Sequence, residues 1–523
     1  MSSESDVFAA LLDRPSYWLL LAPILVLLTV LYSTGSAGSR PLPPGPPTKF
    51  FSGNVHQIPR TEPWKTYTEW AKIYGPVFTY RAIGRRMIML NTHTAVNDLL
   101  EARSSIYSDR PRTQMYGELI GRKWNVFNIS FDNPRHKIYR KLLRTGLNPR
   151  AIQGYRPLME RESMVFLRGL LEKPEEFASH ARRNAGAVIL QIAYGWTVNA
   201  NDDYFVSIME EVFALSAEIT RPGRFLVESF PLLRYVPSWF PGANFKRFAA
   251  NYRDKFSKLD VVPHEWAKEQ IISGNYIESF TSELMLPDGG NGPPPNAEQE
   301  DIIKLCSAAL YTGGADTTVS AMTTFFLCMA MNPSTQTRAR VEILQVTGNE
   351  RLPDADEFEK LPYVHAVLQE TLRWSPVAPL GVSHRVMQDD IYKEMYISKG
   401  STVFANIWAL MHDPDVYPDP FAFNPDRFLG KDPQIDPRKY VFGFGARVCP
   451  GAQFAEQAIL HNISRILATF DIRKCVDENG RVIEPRVEYT TGVTSHLKPF
   501  DIRITPRAGS AGIRALESES NAV

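Results

Sequence analysis

Residues Phe442–Gly451 read Phe-Gly-Phe-Gly-Ala-Arg-Val-Cys-Pro-Gly, the most informative stretch of the chain. Gly443 and Gly445 allow the backbone to bend tightly and to approach a bulky partner. Cys449 stands just before an apolar helical pattern, and Pro450 suits a first helical turn because its missing N–H costs nothing there. The free amides and the positive end of a helix favour a thiolate. We therefore expect Cys449 to be a nucleophile or a metal ligand.

The same stretch matches, at every fixed position, the haem-binding signature Phe-x-x-Gly-x-Arg-x-Cys-x-Gly of the cytochrome P450 haem-thiolate monooxygenases. The chain resembles this family, and in particular its fungal, membrane-anchored members of secondary metabolism. The resemblance implies that Cys449 is the axial thiolate ligand of the iron in haem b. It also implies that Phe442 shields the thiolate and that Arg447 pairs with a haem propionate. Gly445 and Gly451 complete the implied haem-binding loop.

A helix predicted over Pro362–Trp374 carries the sequence Glu-Thr-Leu-Arg at residues 370–373. A spacing of three places both charges on one helix face, where they can pair. Such pairs are common on surfaces and contribute at most about 1 kcal/mol there. The family carries a Glu-x-x-Arg helix in this region, and the resemblance implies that Arg427 is a third partner. Glu370, Arg373 and Arg427 are therefore expected to form a buried structural triad.

An apolar helix predicted over about residues 302–331 is interrupted by Gly313-Gly-Ala-Asp-Thr-Thr318. Glycines cost roughly 1 kcal/mol each inside a helix, and Asp and Thr are poor helix formers. Such local conflict indicates function or close packing. Taken alone, it fits slightly better with glycines at a tight helix crossing and polar residues that face solvent. The resemblance implies instead a notch for O₂, with Asp316 and Thr317 as a proton relay for general acid catalysis.

Two further segments are expected to hold the carboxylates of the haem. The family often has Trp-x-x-x-Arg on a helix that meets a propionate, and residues 134–140 place His136 at the tryptophan position. Arg140 keeps the arginine, and a histidine N–H can replace the indole donor. Alternatively, His136 is a partly exposed residue of a basic helix. Further along the chain, Arg385 is the expected propionate donor of the His-Arg pair at 384–385.

Helical periodicity dominates the body of the chain, so the expected fold class is mainly α with small β-sheets (α+β), a cytochrome P450-like single catalytic domain preceded by an N-terminal transmembrane helix. Amphipathic patterns predict helices over Pro63–Ile73, Thr94–Ala102, Pro134–Leu147, Leu158–Leu171, Asp202–Ala217 and Phe245–Ser273. Short β-like runs lie at Val77–Arg81, Met87–Leu90, Tyr392–Ile397 and Ser401–Phe404.

The chain has 523 residues and a formal net charge of +1, from 58 Lys and Arg against 57 Asp and Glu. This balance argues against a protein that grips nucleic acid through a global basic field. Four widely spaced cysteines exclude a disulfide scaffold. Because the relay, the Glu-x-x-Arg helix and Cys449 must all surround one haem, residues 48–507 are expected to form one domain. Residues 508–523 are expected to be a solvated tail.

Tyr17–Tyr32 is an apolar run without charge, preceded by a short segment at 1–16 and followed by a Pro-rich linker at 33–47. As a helix it spans about 24 Å, slightly short of a ~30 Å hydrocarbon core. Aromatic residues bracket the run, which favours a retained single-pass anchor. A cleaved secretory signal and a buried core helix are the alternatives. We expect the protein in the endoplasmic reticulum membrane, with its catalytic domain in the cytosol.

The resemblance implies a monooxygenase that inserts one atom of O₂ into a lipophilic small molecule. Its electrons would come from NADPH through NADPH-cytochrome P450 reductase, since the chain shows no flavin domain. The expected substrate contacts are Tyr116–Phe127, Ala309, Leu310, Val377–Val382 and Thr491–Val493. A basic patch for the reductase is expected at Lys137, Lys141, Arg144, Arg438 and Lys439, although a solvated helix face explains the lysines nearly as well.

Two alternatives of other classes remain open. A haem-thiolate isomerase or dehydratase would use Cys449 without a proton relay, and the pair Asp316 and Thr317 argues against it. A non-catalytic haem-binding protein leaves the same acid–threonine pair unexplained. A cysteine hydrolase is disfavoured because no positioned base is evident in the sequence.

Overall fold

The structure is a computed structural model that describes residues 40–208, 211–212, 219 and 223–520. It divides into two units, of which the smaller comprises the described residues 40–43 together with 389–398. Here the main-chain N–H of Tyr396 donates to the Pro41 carbonyl over 2.8 Å. The larger unit comprises residues 44–388 and the described residues from 399 onward.

Mainly helical structure with small sheets, as the sequence predicts, is confirmed. In chain order, the α-helices are α1 (Pro63–Tyr74), α2 (His93–Val96), α3 (Ser104–Tyr107), α4 (Pro134–Gly146), α5 (Pro149–Gly154), α6 (Arg156–Glu172), α7 (Phe177–Tyr194), α8 (Asn244–Ser273), α9 (Phe280–Met285), α10 (Ala297–Met331), α11 (Pro333–Thr347), α12 (Pro362–Trp374), α13 (Ile407–Met411), α14 (Arg438–Val441), α15 (Ala452–Thr469) and α16 (Ala511–Ser520). The strands are β1 (Val77–Ala82), β2 (Arg85–Leu90), β3 (His384–Arg385), β4 (Asp390–Tyr392), β5 (Met395–Ile397), β6 (Thr402–Ala405), β7 (Phe470–Lys474) and β8 (Ile502–Pro506).

Most amphipathic patterns become helices within one or two residues of their expected ends, and three segments differ. The stretch 94–102 is α2 followed by a π-helix at Asn97–Glu101. The run Tyr392–Ile397, expected as one strand, is the β4–β5 hairpin, because Lys393 and Glu394 take positive φ and turn the chain back. In the stretch 202–217, residues 204–208 are helical, and part of the remainder lies outside the described residues.

The main sheet has the strand order β1-β2-β6-β3. Strands β1 and β2 pair antiparallel with Tyr80 opposite Met87, whereas β2 and β6 pair parallel with Met89 opposite Phe404. Strand β3 closes the sheet antiparallel to β6, which fixes the position of Arg385. Strands β7 and β8 form a separate antiparallel pair.

Helix α10 is the central element of the larger unit. At 35 residues it is about 52 Å long, and it contributes side chains to both large apolar cores. Tyr311 belongs to one core and Phe325 to the other. The helix begins five residues before its predicted start, because Asn296 and Gln299 form a reciprocal capping box and the first turn is polar. A helix buried on all sides shows little amphipathic period.

The C-terminal residues correct one expectation. Part of the predicted solvated tail, residues 508–523, is helix α16, and Ala511 and Leu516 on it are buried. Gly512 packs so closely that a Cβ atom there would overlap the Thr469 hydroxyl oxygen. The sequence of residues 508–523 is short and polar at its end, so its few apolar residues did not indicate a helix that packs on the core.

No helix among the described residues is long and apolar enough to cross a membrane. The anchor predicted at Tyr17–Tyr32 lies outside those residues, as do the segment at 1–16 and the first part of the linker. The described part of the linker, 40–47, contains no helix.

Candidate active site

The cysteine loop connects α14 to α15. Gly443 and Gly445 have φ of 82° and 52°, and the Cys449 N–H donates to the Phe442 carbonyl over 2.7 Å, which closes the loop. A Cβ on Gly445 would lie 2.7 Å from the Leu100 carbonyl oxygen. Glycine is therefore required at Gly445 both by its dihedral angles and by its close neighbours.

The Cys449 side chain is exposed. Burial among the surrounding protein atoms nevertheless raises the pKa of its thiol, and the backbone at Gly451 and the charge of Arg140 oppose this effect only in part. The expectation that the helix start favours the thiolate is therefore incomplete, because desolvation is the larger effect. A coordinated metal ion would deprotonate the thiol outright.

Two arginines flank the cysteine loop. Nε of Arg447 donates to the Ser108 carbonyl over 2.8 Å, and its Nη2 donates to the Ile129 carbonyl over 2.6 Å. Arg140 donates from Nη1 to the Val448 carbonyl over 2.7 Å, so it is fixed beside the ligand position. Both side chains are oriented by main-chain carbonyl groups.

A third arginine, Arg110, was missed by the sequence analysis. Its Nε donates to the Phe127 carbonyl over 3.0 Å, and its Nη1 donates to the Val382 and Ser383 carbonyls over 2.7 Å each. Burial and then the charge of Arg447 lower the pKa of Arg110 to about 9. No motif marks this residue, because its partners are distant in sequence.

Arg110, Arg140 and Arg447, here called the Arg447 cluster, have no carboxylate bonded to them among the described residues, although the charge of Asp109 acts on Arg110 and Arg447 from further away. Among the described residues, no carboxylate lies within ion-pair distance of any of the three. Burial is also the main reason that the pKa of Arg447 is lowered to about 10. Arg110 is buried, and Arg140 and Arg447 are half-buried. Charges withdrawn from water normally have a counter-charge, so the cluster is suited to an anionic ligand. The two carboxylates of haem beside an accessible Cys449 match this set of donors.

His136 lies beside the same cluster. The residue is 5% exposed, and its Nε2 has no hydrogen-bond partner. Burial, followed by the charges of Arg447, Arg140 and Arg110, lowers the pKa of His136 to about 4. A partly exposed surface histidine is therefore the wrong description. The unpartnered buried nitrogen is available to a propionate oxygen, and the contact itself stays a prediction.

Arg385 is placed by a carboxylate that the sequence analysis missed. Its Nε donates to Oδ2 of Asp109 over 2.6 Å, and Nη2 contacts the same oxygen. Burial raises the pKa of Asp109, but bonds from the Phe131 N–H, the Ser130 hydroxyl and Arg385 outweigh it and lower the pKa overall. With Nε and Nη2 directed at Asp109, only Nη1 of Arg385 remains for the predicted propionate contact.

The predicted proton relay lies on α10, which continues through it without a break. The Thr317 hydroxyl donates to the Gly313 carbonyl over 2.8 Å. Asp316 is bound by two residues that the sequence analysis missed: the Thr494 hydroxyl donates to Oδ2 over 2.6 Å, and Nε2 of His496 lies 3.0 Å from Oδ1. In this geometry the acid of the relay is attached to a C-terminal loop.

The two relay glycines have different neighbours. A Cβ on Gly314 would lie 3.0 Å from the side chain of Ile189 on α7, so the helix packing is tight at this glycine. A Cβ on Gly313 would lie 3.3 Å from the ring of Phe127, which belongs to a predicted substrate segment. A small cavity near Gly314 is lined by residues of α6, α7, α10 and α15 and does not include Cys449. We therefore do not assign that cavity to substrate.

The structure brings Glu370, Arg373 and Arg427 together, here called the Glu370 triad. Arg373 donates to both oxygens of Glu370 over 2.6 and 2.9 Å, and Arg427 adds a bond of 3.2 Å. The side chains of Glu370 and Arg373 are 0% exposed. The N–H of Asn424 also donates to Glu370 over 2.8 Å, so the triad joins α12 to the irregular segment before the cysteine loop.

Comparison with known proteins agrees with this site. The model of the family described as Cytochrome P450 matches residues 43–503. Cytochrome P450 monooxygenase 208 of Postia placenta is 40% identical, over 94% of this chain and 95% of its own. Cytochrome P450 monooxygenase claR of Ampulloclitocybe clavipes is 38% identical, over 92% and 90% respectively. Cytochrome P450 monooxygenase 176 of Postia placenta is 35% identical, over 92% and 93%.

A match over most of the chain, together with relatives named as monooxygenases, confirms the resemblance to fungal members of this group. Family membership implies haem with cysteine-thiolate ligation of its iron. Among the described residues, those of the cysteine loop and the Arg447 cluster fit a bound haem. The chain therefore belongs to the cytochrome P450 family, and the enzyme class that its sequence predicts, a cytochrome P450 monooxygenase, is confirmed.

Proposed function

We propose that this enzyme inserts one oxygen atom from O₂ into a lipophilic small molecule of secondary metabolism, with electrons from NADPH through NADPH-cytochrome P450 reductase. The observation that supports it best is the accessible Cys449 beside three arginines without a carboxylate partner. When bound, haem supplies the activation of O₂. Cys449 would be its iron ligand, and the Arg447 cluster with His136 would hold its carboxylates.

The relay residues would hold and move the proton that oxygen activation needs. Asp316 is oriented by the Thr494 hydroxyl, and Thr317 is oriented by the Gly313 carbonyl, so both side chains have defined positions. An isomerase or dehydratase would not need this arrangement. A threonine hydroxyl that donates its proton to a carbonyl can still accept a hydrogen bond at its oxygen from another donor.

A lipophilic substrate is supported by exposed apolar side chains in three predicted substrate segments. Phe127, Val382 and Val493 are each exposed by more than a third. Arg110 binds the carbonyls of both Phe127 and Val382, so it ties two of these segments together. Apolar surface of this kind is stabilised by contact with an apolar ligand.

The reductase would dock on the predicted basic patch. Lys137, Lys141, Arg144 and Lys439 are exposed. Arg438 instead bonds Asp436 and Glu456 over 2.6 and 2.7 Å, and it is the member of the patch least available to a partner. Charge reversal at Lys137 and Lys141 is expected to raise the KM for reductase, most strongly at low salt.

Anchoring in the endoplasmic reticulum membrane, with the catalytic domain in the cytosol, is part of the same proposal and rests on the apolar run Tyr17–Tyr32. A chain that lacks residues 1–39 is expected to leave the membrane fraction. Retention of that shortened chain would mean that another surface binds the membrane.

The experiment that tests the proposed function is turnover with reductase and NADPH against a panel of lipophilic metabolites. We expect NADPH oxidation and a product heavier by one oxygen atom, and no such product from Cys449→Ser. Conversion without NADPH would instead support an isomerase or dehydratase. The absence of both NADPH oxidation and product with every compound would support a non-catalytic haem protein.

A further inference from the structure

Both carboxylate oxygens of Asp316 are engaged by one loop near the C-terminus. The Thr494 hydroxyl donates to Oδ2 over 2.6 Å, and Nε2 of His496 lies 3.0 Å from Oδ1. A protonated imidazole at that distance forms an ion pair with the carboxylate. The acid of the relay therefore has one neutral hydroxyl partner and one titratable partner.

The loop is fixed to the same side of α10. The hydroxyl of Ser320, four residues after Asp316, donates to the Ser495 carbonyl over 2.6 Å. Positions four apart share a helix face, so Asp316 and Ser320 bind consecutive residues of the loop. The Ser495 N–H also donates to the Val377 carbonyl over 2.8 Å. These bonds hold the loop so that the imidazole of His496 lies beside the Asp316 carboxylate.

The His496 side chain is also in contact with solvent. It is 26% exposed, whereas Asp316 is 14% exposed. The charged residues nearest along this loop have partners of their own, since Lys498 pairs with Glu488 over 2.8 Å. Among the described residues, His496 is the basic side chain within ion-pair distance of Asp316.

We propose that His496 passes protons from solvent to Asp316, an inference that rests on the proposed function. A proton leaves Nε2 of the imidazolium and joins Oδ1 of the carboxylate, which gives a neutral ring and a carboxylic acid. Water then returns a proton to the ring. Thr494 occupies Oδ2, so Oδ1 is the oxygen that receives the proton, and Asp316 supplies the relay through Thr317.

The test compares His496→Gln, His496→Ala and the control Lys498→Gln in the haem-loaded enzyme. The glutamine amide can donate to Oδ1 but cannot transfer a proton. We expect both His496 variants to raise the ratio of peroxide to product several-fold and to increase the solvent deuterium isotope effect on product formation. Lys498→Gln should match the wild type in both measurements. A His496→Gln enzyme that matches the wild type would overturn the inference, because a hydrogen bond alone would then suffice.

A second measurement does not depend on turnover. The C–O stretching frequency of the reduced CO complex senses polar groups near the ligand, so His496→Gln and Asp316→Asn should shift it and Lys498→Gln should not. A frequency unchanged in His496→Gln but shifted in Asp316→Asn would contradict the coupling between the two residues. If the wild type oxidised no compound, the proposed function would fail, whereas normal wild-type turnover with unaffected His496 variants would refute only this inference.

Discussion

Two groups of arginines in this molecule, one buried and one only partly buried, differ in their carboxylate partners. In the Glu370 triad, a carboxylate accepts bonds from both arginines and from a main-chain N–H. In the Arg447 cluster, the guanidinium groups donate to main-chain carbonyls, and no carboxylate among the described residues pairs with them. The arginines of the triad have a bonded carboxylate within the chain, whereas those of the cluster have none among the described residues. A buried charge with its counter-charge indicates structure, and one without it indicates a ligand site.

The largest expected effect, on the absorption spectrum and on activity, comes from replacing Cys449, the expected iron ligand beside the Arg447 cluster. Cys449→Ser should abolish the red-shifted absorption band of the reduced CO complex and all product formation, because serine does not supply the thiolate. The free energy of unfolding of the haem-free protein should change little, since the Cys449 side chain is exposed. A variant that keeps the wild-type band would remove Cys449 from the site, as read from the CO difference spectrum.

Removing the centre of the triad should act on folding instead. Glu370→Ala leaves two buried guanidinium groups without their carboxylate, and we expect a loss of about 3–5 kcal/mol in the free energy of unfolding. Denaturant unfolding of the haem-loaded protein measures this change. Glu342→Ala, on the neighbouring helix α11, is a useful control because Glu342 accepts only from main-chain N–H groups in the structure. Equal stability of Glu370→Ala and the wild type would refute the structural role.

Arg110→Gln should act on ligand retention more than on folding. A charge-assisted hydrogen bond contributes about 1.5–3 kcal/mol, so haem should dissociate about tenfold to a hundredfold faster. Transfer of haem to an excess of apomyoglobin measures this rate. Arg438→Gln is the matched control, since Arg438 has carboxylate partners of its own. If both variants release haem at the same rate, the absence of a carboxylate partner does not identify the arginines that bind haem.

The smallest effect is expected at His136. His136→Phe removes one neutral N–H donor, which contributes about 0.5–1.5 kcal/mol, so haem release should accelerate by about tenfold at most. His136→Trp restores an N–H and should release haem more slowly than His136→Phe. The two variants are compared in the same haem-transfer assay. A faster release from His136→Trp than from His136→Phe would show that the space at this position, and not the donor, controls retention.

The sequence predicted those parts of the fold whose signals are local. Helix α12 has its predicted ends, and α4 and α8 differ by one residue at an end, because each shows an apolar stripe. Helix α7 was not predicted, since most of its side chains are buried and no polar face marks it. Helix α11 was also missed, as it begins at Pro333 only two residues after α10 ends.

The site follows the same division. Cys449 and the triad were found because short motifs announce them, and the structure places the triad in mutual contact. Arg110 and His496 were not predicted, because the role of each depends on contacts with residues that are distant in sequence. The bond between Thr494 and Asp316, for example, joins residues 178 apart. Such contacts are set by tertiary packing and leave no spacing that a single sequence displays.

The most direct test of the contrast between the two arginine groups is the binding of haem and of its dimethyl ester, which lacks the carboxylates. Wild-type protein should prefer haem by about tenfold or more, because each lost charge-assisted bond costs about 1.5–3 kcal/mol. Arg447→Gln should reduce that preference, and Arg438→Gln should leave it unchanged. Equal affinity of the wild type for haem and its ester would contradict the assignment of the Arg447 cluster as the haem carboxylate site.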